Sequence, residues 1–194
     1  TQDRTEIATG IAAETGRVFI PPYDHPAVIA GQGTVALEMF DQVPDLDALV
    51  VCLGGGGLLA GCCVATKALR PATRVFGVEP EAGDDHLQSR TRGEIVTIGV
   101  PKTIADGQQT EAPGELTWAI TNPVVEEFVG VSDSAIVATM AFLFERMKLV
   151  VEPSGASALA ALLDGVLDLQ GLRVGVTLSG GNIDVSRFSE LVTG

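Results

Sequence analysis

Four consecutive glycines, Gly54-Gly55-Gly56-Gly57, separate an apolar run from an amphipathic one, and no other feature restricts the fold as tightly. Ala48 to Leu53 reads as a short buried strand. Leu58 to Leu69 reads as a helix, with Pro71 just beyond its expected end. One or two glycines suffice for a strand–helix turn, and each further one adds chain entropy that folding must remove. Four strip every side chain from the turn. Bare N–H groups and the positive end of the helix dipole then face one point, an arrangement that binds phosphate. The plain alternative is a flexible connection with no ligand.

The rest of the chain continues the alternation. A helix is expected from Asp3 to Thr15, ending at Gly16, with Asp3 and Glu6 in capping-box spacing and Ile7 and Ile11 on one face. A short strand is expected over Arg17 to Ile20, and Pro26 to Val43 contains a second helix pattern, with Val35, Met39, Phe40 and Val43 on one face. A further strand runs from Arg74 to Val78 and ends at Glu79-Pro80, followed by a short helix over Asp84 to Thr91. Gly93 to Pro113 has no period and reads as loop, with a short strand at Ile95 to Ile98; so long an irregular segment is usually functional. Ser132 to Lys148 carries the strongest helix pattern, with Ile136, Met140, Leu143 and Met147 as its stripe. Ser154 to Leu163 is a helix of small residues, and Val174 to Leu178 a buried strand that ends at Ser179-Gly180-Gly181-Asn182. Strands alternating with helices predict an α/β fold, a parallel sheet covered by helices on both faces. Ligands then sit at the carboxyl ends of the strands, where both glycine motifs fall.

Composition excludes more than it assigns. The apolar share of 46% belongs to a globular chain, and the formal net charge of −13 argues against nucleic acid and anionic membrane surfaces as partners. No run of about 18 uncharged apolar residues occurs, and no secretory signal is visible. Cys52, Cys62 and Cys63 lie in apolar segments without metal-ligand spacing, which suits reduced core thiols and a cytoplasmic location. The chain opens on Thr1 rather than Met, as a cut through a longer protein would.

Two readings of the glycines remain open on residues alone. Gly55-Gly56-Gly57-Leu58-Leu59-Ala60 satisfies G-x-G-x-x-A, and Glu79 ends the next strand where a ribose-binding acid belongs; this points to a nicotinamide-dependent oxidoreductase. That reading leaves Gly54 and the Ser179 motif unexplained. A non-catalytic fragment that binds phosphate only is the third possibility.

Six stretches decide between them: HPAVIAGQGTVALE from His25, LGGGGLLAG from Leu53, FGVEP from Phe76, PKTIADG from Pro101, ERMKLVVEPSGA from Glu145 and LSGGNID from Leu178. In order and spacing the chain resembles the threonine/serine dehydratase and serine racemase family, pyridoxal phosphate enzymes of the tryptophan-synthase β-like fold. The resemblance implies that Gly54, Gly55, Gly56, Gly57 and Leu58 hold the cofactor phosphate through their N–H groups, and that Ser179 hydrogen-bonds the pyridine nitrogen. A hydroxyl can donate to an unprotonated ring nitrogen, which leaves the ring a weaker electron sink and favours β-elimination over transamination. It further implies that Asp106, Gly107 and Glu152 line the substrate and ring pocket. Glu79, the carbonyl of Gly83 and Asp85 would hold Mg²⁺ or Ca²⁺, hard ions suited to oxygen ligands. Lys148 and Asn182 match positions that contact an activating nucleotide in some serine racemases.

The implied activity is the dehydration of L-threonine, L-serine or a similar β-hydroxy amino acid to a 2-oxo acid and ammonia, with serine racemase and 3-hydroxyaspartate dehydratase as alternatives in the family. A small amino-acid substrate and a homodimer are the implied partners. The Schiff-base lysine is not expected among Lys67, Lys102 and Lys148, none of which has the S-F-K-x-R-G type of context. Residues 1–34 then end the smaller domain, residues 35–194 form the larger, cofactor-binding one, and the whole resembles the C-terminal portion of a short, catabolic enzyme of roughly 320 residues.

Overall fold

A computed structural model describes residues 4–194 of the chain. Its centre is a four-stranded sheet in the order β3-β2-β1-β4, built from β1 (Ala48–Cys52), β2 (Arg74–Pro80), β3 (Glu127–Val131) and β4 (Val174–Val176). All three pairings are parallel, with Val50 opposite Phe76 and Val176, and Val78 opposite Val129. β1 is wholly buried, and its side chains alternate between two cores. Ala48, Val50 and Cys52 face one core together with Phe76, Val78, Val129 and Val131. Leu49, Val51 and Leu53 face the other with Val75 and Phe128. A strand buried on both faces explains the unbroken apolar run before the glycines.

The first core is closed by α7 (Asp133–Phe142), α8 (Pro153–Leu163) and α9 (Val185–Thr193). Ser132 starts α7 as an N-cap, its Oγ accepting from the Ala135 N–H at 3.1 Å. α8 begins on Pro153 and buries Ser154, Gly155, Ala156, Ser157, Ala158, Ala160 and Ala161, small residues that let its backbone come close to the sheet. The second core is closed by α3 (Thr34–Gln42), α4 (Gly57–Leu69) and α6 (Glu115–Thr121), with α2 (Pro26–Gln32) packed on α4. There a Cβ on Gly33 would lie 2.9 Å from the Gly61 carbonyl oxygen, so the two helices touch backbone to backbone. Helices on both faces of a parallel sheet are the architecture that the sequence predicts.

Several elements differ from expectation. Asp3, half of the expected capping box, lies outside the described residues; α1 spans Arg4–Thr15. Arg17 to Ile20 is irregular, with Val18 and Ile20 87% and 70% exposed, because no described strand lies beside it to pair with. Ile95 to Ile98 is likewise no strand; the Val96 N–H donates to Ser89 Oγ at 2.9 Å and the Ile98 N–H to the Glu111 carbonyl at 2.7 Å, with no strand pairing among the described residues. The span Pro26 to Val43 holds two helices, α2 and α3, that meet at Gly33, and the expected stripe lies on and just after α3. The long helix from Ser132 changes after Phe142 into a wider π-type turn, Leu143–Met147, which stops at Lys148 in the left-handed region (φ 60°). Helix α5 (Asp85–Arg92) falls within a residue of its expected bounds, whereas α6, β3 and α9 carry no signal that the pattern reading picks up.

Candidate functional site

Parallel pairing brings the carboxyl ends of β1, β2 and β4 side by side. The Leu53 N–H donates to the Val78 carbonyl at 2.8 Å, and the Thr177 N–H to that of Val50 at 3.1 Å. Beyond these bonds the chain leaves β1 into the glycines, β2 into the acidic turn and β4 into the segment with Ser179. Three of the expected groups therefore share one end of the sheet.

Gly56 is the N-cap of α4 and has φ 95°, a conformation that side chains disfavour. Among the described residues, the N–H groups of Gly54, Gly55 and Gly56 donate to no protein acceptor; the bonding of α4 starts with the Ala60 N–H on the Gly56 carbonyl at 2.8 Å. The N–H groups of Gly57 and Leu58 belong to the first helical turn and have no partner within the helix. The loop is walled closely. A Cβ on Gly54 would lie 3.0 Å from the Gly107 oxygen, one on Gly56 2.9 Å from Thr117 Oγ1, one on Gly57 2.9 Å from Tyr23 Cβ, and one on Gly55 would clash with the ring carbons of Tyr23.

Residues that the motifs do not contain hold this loop in place. Thr117 Oγ1 donates to the Gly55 carbonyl at 2.7 Å. Asp24 Oδ1 accepts from the N–H groups of Leu116 and Thr117 at 3.0 and 3.1 Å, which ties the segment carrying Tyr23 to the start of α6. The buried Gln108 amide donates to the carbonyls of both Leu53 and Val78 at 2.9 Å and so clamps β1 to β2 just before the glycines. Tyr23, Asp24, Gln108 and Thr117 act through contacts distant in sequence, which spacing cannot reveal; Gln108 alone is signalled, by its place in the irregular segment.

The second motif is equally anchored. Ser179 is exposed, and the Cys52 thiol donates to its Oγ at 3.1 Å. Glu152 fixes the turn that follows: its N–H donates to the Gly180 carbonyl at 3.0 Å, and its Oε2 accepts from the Asn182 N–H at 2.6 Å. Gly107 donates its N–H to Ser154 Oγ at 3.0 Å, while Asp106 is exposed on the same short 3₁₀ turn, Asp106–Gln108. Lys148 and Asn182 are both exposed, and the Lys148 ammonium donates to the Glu145 carbonyl at 2.8 Å.

Beside the glycines lies a buried acid pair. Glu79 is fully buried, its two carboxylate oxygens accepting from the N–H groups of His86 and Leu87 at 3.0 and 3.1 Å, at the start of α5. Neither carboxyl oxygen of Asp85 has a hydrogen-bond partner. Ligand atoms of Glu79, Asp85 and His86 come within 4.8 Å of one another, and Gly83 is buried on the connecting turn. Burial, and then the charge of Asp85, push the Glu79 carboxyl well above the usual range, against the pull of its two N–H donors. Burial also pushes Asp85 up to about 7. Two acids so placed must share protons or hold a cation. His86 is the member that the motif reading misses.

This geometry removes the dinucleotide reading. A ribose-binding acid must reach the ligand, whereas the Glu79 carboxylate is buried and already bonded to the α5 N-terminus.

Comparison with known proteins agrees. A family model described as pyridoxal-phosphate dependent enzyme matches residues 1–180. The L-threo-3-hydroxyaspartate ammonia-lyase of Saccharomyces cerevisiae is 52% identical over 194 residues, 100% of this chain and 60% of that protein. The serine racemase of Schizosaccharomyces pombe is 47% identical over 191 residues, 98% of this chain and 59% of that protein. Among solved structures, the threonine deaminase of T.th. superposes with a TM-score of 0.87 at 43% identity, covering 94% of this chain and 63% of that one. The chain thus spans about 60% of the length of these curated relatives.

Proposed function

The chain belongs to the family of pyridoxal-phosphate-dependent enzymes, and from that premise we propose that it is the cofactor-phosphate-binding part of an ammonia-lyase acting on β-hydroxy amino acids. The observation that carries this reading is the free N–H array of Gly54 to Gly56 at the start of α4, one strand away from the exposed hydroxyl of Ser179. The residues present fit the cofactor at both ends. A phosphate needs several N–H donors and no intruding side chain, and the pyridine nitrogen needs one polar partner at a distance from them.

When bound, pyridoxal phosphate supplies the electron sink for a substrate α-carbanion. The chain's own residues do the rest. Gly54 to Leu58 bind the phosphate, and the α4 dipole adds to their attraction. Ser179 offers a neutral hydroxyl to the ring nitrogen. Glu152 holds the Ser179–Asn182 turn, and Asp106 and Gly107 border the same pocket. Glu79, Asp85 and the Gly83 carbonyl hold Mg²⁺ or Ca²⁺; an all-oxygen donor set with two partnerless carboxyl oxygens suits a hard cation. Lys148 and Asn182 are the candidate contacts for a nucleotide activator. The cofactor-linking lysine comes from the part of the longer protein outside this chain.

Residues 1–34 close the smaller domain and residues 35–194 form the larger, with Tyr23, Asp24 and α2 packed against the larger. The longer protein pairs as a homodimer, a reading supported by Phe144, Met147 and Val150, which lie 47, 54 and 52% exposed in one stretch. The names of the relatives favour L-threo-3-hydroxyaspartate, L-threonine and L-serine as substrates, with serine racemisation as the second reading. The full-length protein, loaded with cofactor, tests this directly. Oxo-acid and ammonia release from any of the three amino acids supports the lyase; D-serine formation without oxo acid supports the racemase; consumption of none of the three would sink both.

A further inference from the structure

Cys52 is the last residue of β1, is 8% exposed, and meets two hydroxyls across the β1–β4 pairing. Its N–H donates to Thr177 Oγ1 at 3.3 Å. The Thr177 hydroxyl proton is directed onward to Cys52 Sγ, 3.9 Å away. The thiol in turn donates to Ser179 Oγ at 3.1 Å. Each group in this series accepts from the one before it and donates to the next. In the opposite sense, the sulfur would receive from Ser179 and Thr177 together, and its own proton would point into the apolar core formed with Val50, Val78 and Ile136.

We propose that Cys52 is a positioning residue whose thiol, by donating to Ser179 Oγ, turns the Ser179 hydroxyl proton outward as the donor to the pyridine nitrogen of the bound cofactor. This rests on the reading of Ser179 as the ring partner. Without the thiol, Ser179 is free to rotate and offers its proton in that direction only part of the time. Burial pushes the thiol pKa up, and the nearby Glu152 carboxylate adds to the rise, against the pull of the bonds to Ser179 and Thr177. Cys52 therefore stays a donor rather than a thiolate. The relay also accounts for a polar atom at the end of an otherwise apolar strand.

The test uses the full-length holoenzyme with Cys52→Val, which removes the donor at similar volume, and Cys52→Ser, which keeps one. Each is combined with Ser179→Ala. The readouts are the dissociation constant of pyridoxal phosphate for the apoenzyme and the ¹⁵N resonance of ring-labelled cofactor in the holoenzyme. Cys52→Val should weaken cofactor binding about 5-fold, the loss of one hydrogen bond, and move the ring-nitrogen resonance away from its hydrogen-bonded position. Cys52→Ser should stay within about 2-fold of the parent. In the Ser179→Ala background, Cys52→Val should change neither readout. Equal losses in the valine and serine variants, or an undiminished effect of valine when Ser179 is alanine, would overturn the relay and leave Cys52 a packing residue. If Ser179→Ala alone moves neither readout, the assignment of Ser179 falls first, and the relay with it. Cys52→Ala replaces the valine variant if that protein is not recovered.

Discussion

His86 Nε2 lies 3.1 Å from the carbonyl oxygen of Gly54, so one side chain joins the buried acid pair to the glycine loop. Burial drives the imidazole pKa down to about 3, and the charge of Arg90 adds to the fall, so the ring is neutral at ordinary pH. A carbonyl can only accept, which places the proton on Nε2 and leaves Nδ1 bare, without a partner among the described residues. The backbone N–H of the same residue donates to Glu79. The ring is held by Phe128 and Trp118, with centroids 5.5 and 6.1 Å away.

Replacing His86 by phenylalanine keeps the aromatic packing and removes the donor to Gly54. The freed carbonyl should loosen the loop and weaken both cofactor and inorganic phosphate binding about 5-fold or more, the effect of one lost bond. Titration of the apoenzyme followed by fluorescence measures this. An affinity equal to that of the parent would show that the Gly54 carbonyl does not govern the shape of the loop.

The glycines themselves allow a sharper contrast. A side chain at Gly56 meets Thr117 at 2.9 Å and must also adopt φ 95°. Gly56→Val in the full-length protein should therefore purify largely without cofactor, with visible absorbance reduced at least about tenfold. Gly31→Ala is the control, because its Cβ would meet nothing within 4 Å. A Gly56→Val protein with a full complement of cofactor would remove the loop from the phosphate site.

The parts legible in the sequence are those with local causes. The β1–glycine–α4 unit follows from one apolar run, one bare turn and one amphipathic period, all within about two dozen residues. The acid turn after β2 and the serine turn after β4 are likewise visible as strand ends. The props are not: Tyr23 on Gly55, Gln108 across β1 and β2, and Asp24 on α6 are pairings made only after the sheet forms. β3 escapes the pattern because Glu127 to Val131 is short and includes Gly130, and it becomes a strand by pairing beside β2. Val18 to Ile20 shows the reverse, a β-like run that stays irregular without a neighbour.

Stability should depend on pH and on divalent cations together. An unfolded aspartate titrates near pH 4, whereas burial raises Asp85 to about 7 in the folded chain. Between these values the folded state holds a proton that the unfolded state has released. The stability from that proton is full below about pH 4 and is lost as pH rises through about 7. Glu79 shifts in the same direction. In a chelator, the thermal midpoint should therefore fall from about pH 5 to about pH 8. Mg²⁺ or Ca²⁺ should restore it at the higher pH, since a cation takes the place of the protons. Asp85→Asn should flatten the profile and abolish the cation response. A midpoint that rises over this range, or that ignores both cations, would remove the ion from the site.

Reaction type depends on Ser179. On the reading proposed above, its neutral hydroxyl would leave the pyridine nitrogen largely unprotonated, and a ring in that state would supply a weaker electron sink, which favours loss of the β-hydroxyl. An aspartate at this position would favour the protonated ring by charge attraction. In the full-length enzyme, Ser179→Asp should slow oxo-acid release at least about tenfold, which corresponds to about 1.4 kcal/mol in the barrier. With a β-hydroxy amino acid, it should also build up a long-wavelength absorbance in stopped-flow spectra. Ser179→Ala removes one hydrogen bond and adds no charge, so its loss should stay near 5-fold, about 1 kcal/mol. The ordering of the two variants separates electronics from simple damage to the turn. Damage would slow both variants alike and produce no new spectral species. An aspartate variant that releases oxo acid at the parent rate would mean that Ser179 does not face the ring nitrogen, and the preference for elimination would need another cause.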